Sequence, residues 1–273
     1  MKLKPVLCRP SYFLVLSVAV LSCLVGAAGA QGSGKSIDQP GGISLSPAVI
    51  AAKAKPGQSF SQNLTLWNNT LQALSFQMEA RDVVVRDGHR VFLPAGEAEG
   101  SIARYAVFAD QNVVAPPGSF VTTRVTVTVP NSPGPRAIAC IFMGKTAMGM
   151  GQSVALTGSL GALVTFTLAD DFRVQSQPPQ VAVDMEAQTI AFRQNLKNSG
   201  SDPVVPKGVM AVTNESGYLV ARLPVSGQRL LPGESLEFTV EHSGLLKPGK
   251  YRAMLMLEDE SAFFSNATEF AIK

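Results

Sequence analysis

The sequence predicts an all-β protein made of two tandem immunoglobulin-like β-sandwich domains after a signal peptide, and three observations predict it. Apolar and polar residues alternate with a period of two along much of the chain, and Pro, Gly and Asn interrupt this alternation at short intervals. No amphipathic helical pattern follows the first thirty residues. A pair of Pro-Gly turns recurs at an offset close to the length of one sandwich domain.

The N-terminal thirty residues have the pattern of a secretory signal. Basic residues come first, an apolar run over residues 12–25 follows, and Ala28-Gly29-Ala30 supplies the small residues of a cleavage site. The apolar run is shorter than the ~20 residues that a membrane-spanning helix needs, and no second run of that length follows. We therefore expect an exported protein, in the periplasm or at the cell surface, with no integral membrane span in its mature chain.

The positions of the three cysteines indicate whether a disulfide can stabilise the mature chain. Cys8 and Cys23 lie in the signal, and Cys140 stands alone in an apolar stretch. No internal disulfide can form after cleavage, so a buried core must stabilise the fold. Cys140 is predicted to be a small buried hydrophobe rather than a reactive thiol. A lipid anchor on Cys23 is an alternative, although the apolar Leu24-Val25 after it fits a lipid-attachment box poorly.

Charge excludes two classes of partner. The chain has 23 Lys and Arg against 20 Asp and Glu, and the excess of basic residues lies entirely in the signal. A neutral mature chain with few charged residues offers no electrostatic surface for nucleic acid or anionic lipid. We expect no nucleic-acid partner.

Several strands can be placed from the alternation alone. Apolar residues or threonine occupy every second position over residues 74–80, 121–129 and 251–257, which is typical of strands with one face in a core. Asp87-Gly88 lies between two valine-rich segments and predicts a tight hairpin, since both turn positions favour positive φ.

The internal repeat sets the predicted domain organisation. Pro117-Gly118 and Pro133-Gly134 return as Pro232-Gly233 and Pro248-Gly249, each followed by a strand. Polar residues and paired prolines near residues 170–179 suit a short connection. The predicted divisions are a signal peptide (1–30), a flexible segment (31–42), the first sandwich (43–170), a linker (171–180) and the second sandwich (181–273).

Turn motifs in the first domain come in the order of a known family. They are Ser46-Pro47-Ala48, Lys55-Pro56-Gly57-Gln58, Asn68-Asn69, Asp82, Gly88, Ser101, Pro117-Gly118-Ser119, Val129-Pro130, Pro133-Gly134 and Leu160-Gly161-Ala162-Leu163-Val164. Over about residues 43 to 168 this order resembles the N-terminal Ig-like domain of Gram-positive WxL surface proteins, called a peptidoglycan-binding domain. It resembles more distantly the first domain of periplasmic pilus chaperones. Turns in the second domain are similar to those of the second domain in such two-domain proteins, and all of these motifs bear on fold more than on function.

The sequence also departs from both families. Pilus chaperones anchor the carboxylate end of a subunit with an Arg on the first strand and a Lys in the cleft, but the segment Ile43 to Ile50 has no basic residue. WxL proteins place a membrane-spanning helix after their Ig-like domains, and no such helix follows here. The resemblance therefore predicts neither that anchor nor attachment to the wall by that route.

The segment from Ser153 to Leu168 is the most informative for function. Its even positions are apolar except Gly158, over a length well beyond the usual ~5 or 6 residues of a strand. Either the strand bends at Gly158 or Gly161 inside its own core, or its front end overhangs the sheet. An overhanging edge strand is a template for β-augmentation by a partner, as in donor-strand pilus chaperones.

A Gly-rich stretch before this segment carries Met143, Met148 and Met150. Thioethers can bind Cu(I), contact an apolar partner, or pack within a loop, and the sequence leaves these three alternatives open. We predict no bound metal and no cofactor. The residues predicted to contact a partner are Val154, Leu156, Leu160, Met148 and Met150.

Enzymatic chemistry finds little support, and we expect no catalytic residues. His89 and His242 are the only histidines and lie far apart in sequence. Gly151-Gln152-Ser153 partly mimics a nucleophile elbow, but a strand pattern follows it where the motif needs a helix. The acidic pair Asp170-Asp171 could hold calcium, although solvated strand ends are the better interpretation.

These observations predict a non-enzymatic periplasmic or surface accessory protein. It would act as a chaperone or adaptor in the assembly of a pilus or other envelope component, and its partner would be an envelope protein such as a pilin-like subunit. The alternative is a cell-surface protein that binds peptidoglycan or another carbohydrate. Sugar sites favour exposed aromatic residues, whereas Trp67, the single tryptophan, lies in a predicted strand where we expect it to pack in the core.

Overall fold

The computed structural model describes residues 42–145, 158–259 and 262–273, and in these ranges the chain is built almost entirely of β-strands. The first ten strands are β1 (Ile43–Ser46), β2 (Val49–Lys53), β3 (Ser59–Asn68), β4 (Leu74–Arg86), β5 (His89–Pro94), β6 (Ala106–Phe108), β7 (Asn112–Ala115), β8 (Ser119–Thr128), β9 (Ala137–Lys145) and β10 (Ser159–Thr167). The remaining strands are β11 (Val174–Ser176), β12 (Gln180–Asp184), β13 (Thr189–Asn198), β14 (Lys207–Asn214), β15 (Leu219–Ser226), β16 (Ser235–Ser243), β17 (Gly249–Asp259) and β18 (Ala262–Ile272). A short 3-10 helix, Ala103–Tyr105, precedes β6.

The first ten strands form one sandwich of two sheets. One sheet has the order β1-β3-β8-β6, and the other has the order β2-β10-β9-β4-β5, with β7 also paired to β4. The chain passes from the first sheet to the second between β1 and β2, at Pro47. The inner faces of both sheets enclose a core that includes Leu64, Phe142 and Phe166.

The predicted alternation of β8 is confirmed by its burial. Val125 and Val127 are fully buried, and Val129 continues the same buried row just after the strand. Arg124, on the opposite face of the strand, is exposed. Thr123 lies in the buried row as the spacing requires. The strand therefore has one core face and one outward polar face, as expected of a half-buried antiparallel strand.

The last eight strands form a second sandwich. Strands β11, β12 and β16 all pair with β13 in one sheet, and the other sheet has the order β15-β14-β17-β18. Its core includes Phe192, Met210 and Leu255. The prediction of an all-β protein with two tandem immunoglobulin-like sandwiches is confirmed.

The sequence repeat corresponds to a repeat in topology. The earlier Pro-Gly pairs precede β8 and β9, and the later pairs precede β16 and open β17. Strand β8 pairs with β3 as β16 pairs with β13, and β9 lies between β4 and β10 as β17 lies between β14 and β18. The Asp87-Gly88 hairpin is also confirmed, with φ of 52° and 80° at its two residues.

Side-chain packing divides between the two cores after Leu168. Leu168 packs against the first core, whereas Phe172 and Val174 pack against the second. Val174 begins β11, which pairs with β13, so part of the range 171–180 is a strand of the second sandwich. Among the described residues, no helix has the length and hydropathy needed to cross a membrane.

Candidate partner-binding site

Strand β10 is paired along only one of its sides at its N-terminal end. On one side β9 pairs with it from Ser159 to Thr165 in antiparallel register. On the other side β2 runs parallel to it and pairs only from Leu163 onward. In residues 42–145, 158–259 and 262–273, no strand pairs with the second side of Ser159–Ala162. This four-residue stretch, roughly 13 Å long, is called the β10 edge below.

The hydrogen bonds of β10 show which backbone groups point to the β10 edge. The Phe166 N–H donates to the Arg136 carbonyl beside β9, at 2.8 Å, whereas the Leu163 N–H donates to the Ala48 carbonyl on the β2 side, at 2.9 Å. Successive residues of a strand direct their backbone groups to opposite sides. The N–H and C=O of Ser159 and Gly161 therefore point to the open side.

The side chains of β10 follow the alternation expected from the sequence. Ala162, Val164 and Phe166 are fully buried in the first core, and Leu160 is partly buried against it. Pairing with β9 continues through Gly161 without a shift of register. Leu160 is the one predicted partner residue that the structure describes. The other four, Met148, Met150, Val154 and Leu156, lie outside the described residues.

An apolar strip lies on the outer face of the sheet beside the β10 edge. Val49 of β2 is 55% exposed and Met143 of β9 is 37% exposed, with half-buried Leu163 and Ile141 between them. The register brings them together, because Leu163 is opposite Val49, Gly161 is opposite Ile141, and Ser159 is opposite Met143. These four side chains, Val49, Ile141, Met143 and Leu163, are called the apolar strip below. Of the four, only Met143 was considered for partner contact from the sequence.

Glycine keeps the β10 edge accessible. A Cβ on Gly161 would meet its nearest atoms at 3.8 Å and 3.9 Å, and one on Gly158 would meet nothing within 4 Å. Neither residue covers the sheet with a side chain, so another backbone can approach closely here. Both had been predicted only as possible bends.

The second sandwich packs against the other end of the same sheet face. Leu231 is buried against Val83, Ala137 and Ala139, and the half-buried Ile141 and Leu163 of the apolar strip join this cluster. A cleft of about 480 Å³ between the sandwiches is lined by residues of both, including Arg86, Glu99 and Pro232. The apolar strip therefore begins under the second sandwich and continues toward the β10 edge.

Arg90 makes polar contacts that join the two sandwiches. The Arg90 guanidinium binds both carboxylate oxygens of Glu234, at 2.8 Å and 3.0 Å, and donates to the Arg229 carbonyl. Glu234 also accepts the Leu231 N–H at 2.8 Å. Because the paired arginine and carboxylate have fixed, matching geometry, this contact orients the loop that carries Leu231.

Asp202 holds the connection between the sandwiches. Its fully buried carboxylate accepts the backbone N–H groups of Leu168, Ala169 and Asp171, at 3.0 Å, 2.7 Å and 3.2 Å. Arg136 of the first sandwich lies 3.4 Å from the same carboxylate. A carboxylate of the second sandwich thereby fixes the backbone that leaves the first, which limits the freedom of one sandwich against the other.

The prediction that Trp67 packs in the core was wrong. It lies in strand β3 as expected, but its side chain is 44% exposed and contacts Phe120, which is 51% exposed, with ring centroids 4.6 Å apart. The reason is position along the strand. Leu64 and Leu66 are buried on the core face, so the odd-numbered Trp67 must face outward.

The remaining candidates that the structure describes do not lie together, and Gly151-Gln152-Ser153 lies outside the described residues. His89 lies in β5 of the first sandwich and His242 in β16 of the second. Asp170 forms an ion pair with Lys53, and Asp171 bonds to Arg173 and Ser201. No group of three or more His, Cys, Asp or Glu residues that could hold a metal is found in the part of the chain that the structure describes.

No protein-family model matches the chain, and no curated protein matches it. The resemblance to the WxL domain therefore has no support from a family match. Similar solved structures include the class 5 fimbriae chaperone CfaA, with 11% identity and a TM-score of 0.44, in an alignment covering 84% of this chain and 98% of that one. The E. coli chaperone DraB has 13% identity, a TM-score of 0.42, and coverage of 84% and 98%.

A chain in the complex of the Salmonella enterica SafA pilin with the SafB chaperone is also similar, with 10% identity and a TM-score of 0.40. The alignment covers 85% of this chain and 96% of that one. At these identities and TM-scores, no functional argument follows from the similarity.

Proposed function

We propose that the chain is a non-enzymatic, exported accessory protein that binds an envelope protein, such as a pilin-like subunit, during its assembly. The partner would add a strand to the β10 edge, in line with β2. The observation that carries this proposal is the unpaired side of Ser159–Ala162 beside the apolar strip. An unpaired strand edge next to exposed apolar side chains favours recognition by β-augmentation.

Backbone hydrogen bonds would supply much of the affinity. The outward N–H and C=O groups of Ser159 and Gly161 offer two donors and two acceptors to an incoming strand. The exposure of Ser159 and Gly161 supports this, since neither is covered by another described element. A Gly at the centre of the edge lets the partner backbone approach without a steric conflict.

Side chains of the incoming strand would select the partner. On the outer face they would meet Met143 and Ile141 of the apolar strip. On the inner face they would meet Leu160 together with Ile43 and Leu45 of β1, which are all partly buried against the first core. A partner strand with alternating apolar residues would cover both surfaces at once, because its side chains point alternately to the two faces.

The β10 edge can be tested by removing a single backbone donor. Ser159→Pro deletes an N–H on the open side and leaves the ladder with β9 intact, since proline is tolerated at the first residue of a strand. Ser159→Ala is the matched control, because it removes the hydroxyl and keeps the N–H. In a pull-down from envelope extract, we expect Ser159→Pro to lose the captured protein and Ser159→Ala to retain it.

A matched pair of valine substitutions tests the apolar strip. Val49→Ser acts on a strip residue that is 55% exposed, and Val114→Ser acts on a valine of β7 that is 57% exposed and lies outside the strip. Only Val49→Ser should weaken capture. Circular dichroism and thermal unfolding establish that each variant is folded. If folded Ser159→Pro and Val49→Ser retain every protein that the wild type captures, the proposed binding mode is wrong.

A further inference from the structure

The outer face of β3 and β8 carries a different kind of surface, on the sheet that does not contain β10. Trp67 and Phe120 are directly opposite each other in register, and both rings are exposed. Along the same face, hydroxyl pairs join the two strands: Ser59 to Thr128 at 2.8 Å, Ser61 to Thr126 at 2.9 Å and Thr65 to Thr122 at 2.9 Å. This surface is called the hydroxyl face below.

The hydroxyl face is regular along its length. Its hydroxyl pairs and its aromatic pair occupy alternate positions of the strands, so successive rows are about 7 Å apart. From Ser59 to Trp67 the face extends roughly 27 Å. Two hydroxyls that share one hydrogen bond keep a second hydrogen and free lone pairs, so each pair can still donate to and accept from a ligand.

Arg124 and Asn63 complete the hydroxyl face. The Arg124 guanidinium donates to the Asn63 side-chain oxygen at 3.2 Å, and both residues are exposed. Arg124 is the only charged residue of β3 and β8. A face with so little charge does not suit a polyanion such as nucleic acid, which is bound through clustered Lys and Arg.

The position of the strands also argues against a peptide. Strand β3 pairs with β8 along its whole length and with β1 from Thr65 to Asn68, so its backbone around Trp67 is used in ladders on both sides and cannot accept a further strand there. The face is part of a sheet, and its side chains beyond the aromatic pair are mostly short and polar. It therefore lacks the deep apolar pockets that peptide side chains need.

We propose that the hydroxyl face binds an extended, uncharged polysaccharide strand, with Trp67 and Phe120 stacked on its sugar rings. A pyranose ring presents an apolar C–H face, which fits an aromatic ring, and an edge of hydroxyls, which fits rows of Ser and Thr donors and acceptors. The length of the face favours a polymer over a single sugar. The surface is separate from the β10 edge, so the two binding modes can be tested independently.

The test uses the mature chain with insoluble cellulose, chitin and purified peptidoglycan, three polymers built on extended glycan strands. We expect retention on at least one of them. Trp67→Ala and Phe120→Ala should each weaken retention by up to about tenfold, since each removes one of the two exposed rings on which a sugar could stack. Phe92→Ala is the matched control, because Phe92 is 49% exposed on the other sheet, and it should bind as the wild type does.

A second readout needs no substitution on the hydroxyl face. Trp67 is the only tryptophan of the chain, so intrinsic fluorescence reports on the hydroxyl face directly. A soluble oligosaccharide of the retained polymer should shift or quench the emission in wild type and in Ser159→Pro alike. Absence of retention on all three polymers would overturn the proposal. So would equal retention of folded Trp67→Ala and Phe120→Ala, or an emission change caused by a captured protein and by none of the sugars.

Discussion

Asn68 and Asn198 occupy equivalent places in the two sandwiches and make the same hydrogen bonds. Asn68 is the fully buried last residue of β3. Its side-chain N–H groups donate to the carbonyls of Gln72 and Ala115, at 2.7 Å and 2.9 Å, and its oxygen accepts the Thr70 N–H at 3.0 Å. One amide thus joins the end of β3, the turn that follows it and the chain before β8.

The second sandwich repeats this arrangement. Asn198 is the fully buried last residue of β13 and donates to the carbonyls of Asp202 and Leu230, at 2.8 Å and 3.0 Å. Its oxygen accepts the Gly200 N–H at 2.9 Å. The donated bonds fall at the same sequence spacing from the strand end and from the Pro-Gly pair, so the repeat extends from turn signatures to a buried polar contact.

We expect Asn68→Ala and Asn198→Ala each to lower the free energy of unfolding by about 1–3 kcal/mol. The reason is that each change removes a buried amide that makes three hydrogen bonds to the backbone. Urea unfolding followed by circular dichroism measures the effect. Asn69→Ala is the control, because Asn69 is the exposed neighbour and its removal should change stability by less than about 0.5 kcal/mol. Equal effects of Asn68→Ala and Asn69→Ala would contradict the role of the amide.

These asparagines show how far the sequence could lead. The motifs Asn68-Asn69 and Asn198-Ser199-Gly200 were identified as turn signatures, and the turns are there. The amide's partner Ala115 is 47 residues away, so no local pattern reveals the contact. The fold follows from alternation and turn chemistry, which are local, whereas the buried polar contacts depend on which strands become neighbours.

The candidate sites divide in the same way. The alternation of β10 was predicted, but the place where its second side loses a partner depends on where β2 begins to pair, at Leu163. Trp67 was assigned to the core because it lies in a predicted strand, where we expected a large aromatic side chain to pack inward. Its position relative to Leu64 and Leu66 would have indicated the outer face, which is the signal that the residue-type argument missed.

We predict that Asp202→Asn destabilises the chain by about 3–5 kcal/mol. The change replaces one acceptor oxygen by a donor, beside backbone N–H groups that need acceptors, and leaves the largely buried Arg136 without its countercharge. Thermal and urea unfolding measure the loss. Asp170→Asn is the control. Asp170 pairs with Lys53 while 51% exposed, so its removal should cost less than about 1 kcal/mol. A similar loss of stability for both variants would contradict the proposed role of Asp202 in holding the connection between the sandwiches.

Arg90 and Glu234 provide a test of the contact between the sandwiches. A double-mutant cycle with Arg90→Lys and Glu234→Gln should give a coupling free energy of about 1.5–3 kcal/mol, because lysine cannot reproduce the two parallel bonds to the carboxylate. The rate of hydrogen exchange should also rise at the Leu231 N–H in both variants, because Glu234 accepts a hydrogen bond from this group. A coupling indistinguishable from zero would show that the pair does not orient the loop.

The pH dependence of one carboxyl follows from its partners. The Arg173 side chain, and then the Ser201 hydroxyl, hold the pKa of Asp171 below its ordinary value of 3.8. A carboxyl with a lowered pKa contributes stability that is present above the pKa of the unfolded chain and is lost as pH falls through the folded pKa. Arg173→Ala should therefore raise the pKa of Asp171 toward its ordinary value in an NMR titration. An unchanged pKa would contradict the assigned cause.

The last prediction concerns Cys140, the single cysteine among the residues that the structure describes. Cys140 lies buried in the first core, as predicted, and burial raises the pKa of its thiol to about 12. Only the thiolate reacts, so at pH 8 roughly one thiol in ten thousand is in the reactive form, and that form is also shielded from solvent. We expect alkylation by iodoacetamide to be very slow in the folded protein and rapid in urea, as mass spectrometry would show.

Cys140→Ala should destabilise the core modestly, whereas Cys140→Asp should prevent folding, since it places an unpaired charge opposite Ala162. Rapid alkylation of the folded chain would mean that β9 opens far more readily than its position between β4 and β10 implies.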